Sequence, residues 1–110
     1  MRERLPDRRP AVTGEVVWSG HRIAVSAGFL ADGRVGEVFA SGARYGSDLQ
    51  RLLDDACVVI SLALQHGARP ADLGRSLGRL PVPGSEEAHE PASVLGAVVD
   101  WLAEVVRVEA

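Results

Sequence analysis

The chain has little of three things: it carries one cysteine, Cys57, no lysine among its twelve basic residues, and only 5% aromatics in 110 positions. One thiol forms no internal disulfide, no multi-cysteine zinc site and no redox pair. The absence of lysine excludes Schiff-base catalysis and makes every cation a planar, permanently charged fork. No run approaches the roughly 18 apolar residues of a membrane helix, and the charged, proline-containing start lacks the apolar segment of a signal peptide. A cytoplasmic location without membrane contact is therefore expected. The formal net charge of −3 offers no basic face to displace counterions from phosphates, so nucleic acid is not an expected partner. His21, His66 and His89 have no short spacing to one another or to a cluster of carboxylates, and no metal site is expected.

What is present fits one ordinary domain. The chain is 46% hydrophobic and 25% charged, and two cores cut from this length would each be marginal. Charge is unevenly placed: Arg2, Arg4, Arg8 and Arg9 make the start basic, whereas the stretch from Ser85 onward is acidic. Residues 1–13 read as an extended Arg/Pro-rich arm, either disordered or laid across the domain, and residues 14–110 as a single α+β domain. From Gly14 the segments EVVWSG, HRIAVSAGF and RVGEVFAS predict a three-stranded antiparallel β-meander. In the middle strand Ile23, Val25, Ala27 and Phe29 alternate with Arg22, Ala24, Ser26 and Gly28, so one face packs on a core. Asp32-Gly33 is the stronger hairpin signal, read as a primed turn.

A long central helix follows. Ser47-Asp48-Leu49-Gln50 has the capping-box pattern, with the serine oxygen accepting from a free N–H and the Gln side chain reaching back. Leu49, Leu52, Leu53, Ala56, Ile60 and Ala63 recur at helical spacing, and Gly67 stands where a left-handed C-terminal cap belongs. A short helix starts at Pro70 and ends near Gly78. LPVPGSEEAHEP reads as loop, and beyond Pro91 Leu95, Val98, Val99, Leu102, Val105 and Val106 predict a C-terminal amphipathic helix. Sheet first and helices after places the helices on one sheet face. The other face and the edges remain to be covered, which suggests a homodimer or docking on a larger partner.

Few residues suggest chemistry on their own. Cys57 lies among Ala56, Val58 and Val59 and reads as core. Asp54 and Asp55 diverge by about 100° on a helix and share no face. His66 reads as a capping histidine near a helix C-terminus. Glu37 lies within a strand, where Arg34 or Arg22 is the expected partner. GARYGSD precedes a helix but lacks the phosphate-loop lysine and the dinucleotide glycine spacing.

Taken in order, RLPDRR, GHRIAVSAGFLADGRVGEVF and YGSDLQRLLDDACVVISLALQHGARPADL resemble the TSCPD family, a small domain of the C-terminal part of adenosylcobalamin-dependent ribonucleotide reductases that also occurs as short free-standing bacterial proteins. The pieces that carry the resemblance best are Leu5-Pro6 with Arg8 and Arg9, Asp32-Gly33-Arg34, Gly36-Glu37, Gly46-Ser47, Asp55 and the run SLALQHG at 61–67. The helix beyond Pro91 is longer than the family tail. The resemblance implies a link to ribonucleotide reduction, and its label would be ribonucleoside-diphosphate reductase. That reaction needs a large barrel, a thiyl-radical cysteine and a reducing cysteine pair, whereas this chain holds only Cys57. The resemblance therefore implies an accessory domain, non-catalytic alone and binding no cofactor itself. Its expected partner is a reductase or another nucleotide-metabolism protein, met by Arg8 and Arg9 of the arm and the surface around Glu37, Gln65 and His66. Two alternatives stand beside it. One is a nucleotide- or phosphate-binding regulatory module using Arg9, Arg34 and the helix start at Ser47. The other is a homodimeric remnant without ligand.

Overall fold

Two different turns set the meander. The computed structural model describes residues 2–7, 10–42 and 47–109, and its first three strands, β1 (Ala11–Trp18), β2 (His21–Phe29) and β3 (Val35–Ser41), form one antiparallel sheet in the order β1-β2-β3. Between β1 and β2, Ser19 and Gly20 both take positive φ (48° and 78°), the requirement of the two-residue type I′ turn. The Asp32-Gly33 turn differs from expectation, since only Gly33 has positive φ (90°). Its Asp32 carboxylate accepts from the Arg34 backbone N–H at 3.0 Å, a local contact that holds Asp32 in ordinary backbone. Gly33 N–H reaches the Leu30 carbonyl at 3.0 Å and Leu30 N–H the Arg34 carbonyl at 2.7 Å. This is a three-residue loop with a left-handed glycine rather than a primed pair. β1 also begins earlier than expected, at Ala11 paired with Gly28, so the strand takes residues 11–13 from the arm.

Alternation divides the sheet as the sequence predicts. Ile23, Val25, Ala27 and Phe29 of β2 are buried together with Val38 and Ala40 of β3, because residues paired across antiparallel strands share a face. The opposite face, with Thr13, Glu15, Val17, Ala24, Ser26 and Phe39, is left largely uncovered. Gly14 is required on the core face: a Cβ there would lie 2.8 Å from Trp101 Nε1.

Helix α1 (Asp48–Gln65) is capped at its start by Ser47, whose Oγ accepts from Gln50 N–H at 3.1 Å. Only half of the expected capping box forms, because the Gln50 side chain turns away to β3. At the other end Gly67 (φ 102°) and Ala68 donate to the Leu64 and Ala63 carbonyls, the reciprocal pair of a Schellman cap. Helix α2 (Pro70–Ser76) follows, then α3 (Val94–Glu109). The expected loop between them contains a short ribbon of β4 (Arg79–Pro81) and β5 (His89–Pro91). Its strands of three residues are almost wholly exposed, so no buried alternation marked them. Trp18 Nε1–H donates to the Pro91 carbonyl at 3.1 Å, tying β1 to this ribbon.

The core lies between the sheet and the helices. Ile23, Val38, Leu53, Leu64, Val98, Val99 and Leu102 are its most completely buried large side chains, each leucine contributing about 2 kcal/mol of burial. The architecture is α+β: a three-stranded antiparallel meander, a long helix, a short helix and a C-terminal amphipathic helix.

Candidate functional site

α1 lies along the outer edge of β3 and replaces a fourth strand there. Gln65 Nε2–H donates to the Gly36 carbonyl at 2.9 Å. The Ser61 hydroxyl accepts from Val38 N–H at 3.0 Å and approaches the Val38 carbonyl at 3.4 Å. Gln50 Nε2–H donates to the Ala40 carbonyl, and Gln50 Oε1 accepts from Gly42 N–H, both at 3.3 Å. The Ala40 N–H faces the Cys57 sulfur. Gln50 and Gln65 are buried, at 7% and 4% exposure, as side chains are when they satisfy backbone groups a sheet edge would otherwise leave open. Cys57 is buried as expected, and that burial pushes its thiol up to about 11, with the nearby Asp54 carboxylate adding to the rise. It supplies almost no thiolate at neutral pH.

Beside this seam, α1 rises above the uncovered sheet face and forms the wall of a groove of about 960 Å³. Ala24, Ser26 and Phe39 make its floor, and Asp54, Val58 and Leu62 line the helix side. Phe39 and Val58 are each 58% exposed and Leu62 37%. These apolar groups went unread in the sequence. The available signal was Phe39 itself, an aromatic on the polar phase of β3 between the buried Val38 and Ala40.

The expected site residues separate into distinct places. Arg8 and Arg9 lie outside the described residues. Arg34 is exposed and pairs with Asp32 at 2.7 Å and with Glu3; Asp32 holds the guanidinium above its usual range, and Arg34 in turn lowers the Asp32 carboxyl. Arg22 pairs with Glu15 at 3.5 Å. Arg34 and Arg22, the partners expected for Glu37, pair with these other carboxylates. Glu37 lines the groove, folded over Gly28, where a Cβ would lie 2.3 Å from its Oε1. Gln65 anchors the arm: its backbone carbonyl accepts from Glu3 N–H at 2.9 Å and its side-chain oxygen from Arg2 Nε–H. Residues 2–7 thus lie across the domain, with Leu5 against Gly36. Ser47 and His66 cap opposite ends of α1, about 28 Å apart at 1.5 Å per residue. They cannot share one small ligand. His66 is exposed and caps with its backbone, its N–H reaching the Leu62 and Ala63 carbonyls at 3.1 Å.

The profile of the TSCPD domain matches residues 2–109. Among curated proteins, the chain is 32% identical over 109 residues to a vitamin B12-dependent ribonucleotide reductase of Bradyrhizobium diazoefficiens, 93% of this chain and 9% of that protein. It is 35% identical over 66 residues to the enzyme of that name in Agrobacterium fabrum, covering 60% of this chain and 5% of the relative. The Rhodopirellula baltica enzyme gives 38% over 66 residues, 60% and 6% respectively. The chain therefore spans about a tenth or less of these relatives. No solved structure matches. Among the described residues the groove lining contains no histidine, and its cysteine is held protonated, so these residues do not fit a corrinoid that needs an axial ligand. No helix is long and apolar enough to cross a membrane. The match from the arm through α3 places this chain in the TSCPD domain family.

Proposed function

We propose that this chain is an accessory domain of ribonucleotide reduction, non-catalytic on its own, which docks a reductase or another nucleotide-metabolism protein in the groove between the open sheet face and α1. The observation that carries this reading is the adjacent exposure of Phe39, Val58 and Leu62 along a concave surface. An exposed aromatic beside aliphatic groups, rimmed by small polar ones, is the kind of apolar patch that marks a protein-binding surface. The kinship with reductase chains supports the choice of partner. The buried, protonated Cys57 supports the non-catalytic half, since ribose reduction by thiols needs reactive sulfur.

The test is titration of the purified chain with a recombinant adenosylcobalamin-dependent reductase from the same genome, followed by sedimentation velocity with and without nucleotide. A complex weakened at least tenfold by Phe39→Asp is expected. No complex at tens of micromolar under either condition overturns the proposal. Arg34 and Ser47 already hydrogen-bond within the chain. A rise in melting temperature with millimolar nucleoside di- or triphosphate, and no reductase complex, would move the reading to a small-ligand module.

A further inference from the structure

The edge opposite α1 is the second feature of this sheet that calls for a partner. The β3 groups bonded to α1 belong to Gly36, Val38, Ala40 and Gly42, so the odd residues of β3 point their backbone to β2. Following the register across, Phe39 pairs with Ser26 and Val16 with Ile23; the even residues of β1 therefore bond to β2, and Ala11, Thr13, Glu15 and Val17 direct N–H and C=O outward. Among the described residues these outward groups have no backbone or side-chain partner. The edge has few of the usual guards: β1 has no proline and no bulge over its eight paired residues, and Glu15 is its one charge. On the core face Val12, Val16 and Trp18 are only half-buried although they pack on the core, because the sheet stops at them.

We infer that β1 pairs antiparallel with β1 of a second copy about a two-fold axis at Gly14, giving a continuous six-stranded sheet. The strand's own residues favour this occupant and this register. Centring on Gly14 sets Thr13 opposite Glu15 and Ala11 opposite Val17 on the open face, and Val12 opposite Val16 on the core face. Centring on Glu15 would instead oppose two carboxylates, which is destabilising. The Gly14 register satisfies the outward groups with about eight hydrogen bonds and covers the half-exposed valines. Both open faces then lie on one side. The two β3 strands then lie about 24 Å apart, five inter-strand steps, and an α1 stands beyond each of them as a wall of the shared open face. This inference rests on the sheet edge alone and stands whether or not a reductase docks.

Sedimentation equilibrium of the full chain from about 1 to 200 μM tests it, with hydrogen exchange on the amides of Thr13, Glu15 and Val17. The expected result is a mass rising toward twice the 11.7 kDa of one chain, with those amides becoming protected as dimer forms. Thr13→Pro removes an outward donor that β2 does not use, and should leave a monomer. Thr13→Arg places a guanidinium opposite Glu15 of the second copy on both sides of the axis, and should tighten the dimer roughly tenfold. A single-chain mass for both wild type and Thr13→Arg at the highest concentration overturns the inference. So does a folded Thr13→Pro protein that dimerises as tightly as wild type; if Thr13→Pro does not fold, the sign of the Thr13→Arg change decides.

Discussion

β3 and β1 both turn alternate N–H and C=O groups away from the sheet, yet α1 covers those of β3 while those of β1 at Thr13, Glu15 and Val17 have no such cover among the described residues. The difference comes from matched periods. α1 runs antiparallel to β3, and a two-residue step along a strand, about 6.6 Å, is close to four residues of helix rise, about 6 Å. Cys57, Ser61 and Gln65, four apart, thus meet Ala40, Val38 and Gly36, two apart. Gln50 extends the seam to Gly42. A helix ends a sheet when small or amide-bearing residues recur every four positions on the side turned to the edge; without that stripe the same backbone stays available to another strand.

Breaking the closed edge should have the largest effect. Ser61→Val removes both the acceptor for Val38 N–H and the nearby donor for its carbonyl. About 1–3 kcal/mol is lost for each buried group left unsatisfied, so a loss of roughly 2–6 kcal/mol is expected in urea unfolding, with Ser61→Thr recovering most of it. Next is the alkaline response of Cys57. Its thiol is raised from 9.0 to about 11 by burial, so the folded state keeps a proton that the unfolded state releases. Stability is then full below pH 9 and falls as pH rises through 11, by about 2–3 kcal/mol for a two-unit shift. The chain has no lysine and a single tyrosine, which leaves that pH window unusually clear. Denaturant midpoints at pH 8.5 and 11 should converge in Cys57→Ala, and an unchanged pH slope in that variant would show that the thiol is not the source.

The residues show unequally in the sequence. The meander, α1 and α3 were legible because their apolar spacing is that of a buried face, and Gly67 marked the helix end by its left-handed requirement. The seam was hidden in plain view: Gln50 matched a capping box, and its reach to β3 depends on tertiary placement that local pattern does not contain. Gln65 was singled out for a partner surface, and its side chain is instead buried against Gly36 and Arg2. Phe39, Val58 and Leu62 were missed because an exposed apolar group follows the same composition rules as a core one until the sheet face is known to be bare. β4 and β5 bury almost nothing and so left no alternation.

The open edge should be insensitive where the closed edge is not. At about 1 μM, where a weak dimer is dissociated, Thr13→Pro should change unfolding stability by no more than about 0.5 kcal/mol. A loss comparable to that of Ser61→Val would mean that the outward donor of β1 is used within a single chain, and the contrast between the edges would fail.

The smallest effect should come from the surface ties of the arm. Asp32 is exposed, and its carboxyl is held below the usual range by Arg34, which also holds Glu3. A lowered carboxylate contributes stability that is present at neutral pH and is lost as pH falls through its folded value. Exposure and salt screen this pair, so acidification should loosen the arm before the fold. Hydrogen exchange at Glu3, whose N–H is bound to the Gln65 carbonyl, reads that loosening directly. Its protection, taken against the intrinsic exchange rate at each pH, should fall on acidification while the Val38 amide, bound to Ser61 within the seam, stays protected. Simultaneous loss at both amides would show that arm and seam form one cooperative unit, and that the division between a buried ladder and its surface straps is one of position rather than of stability.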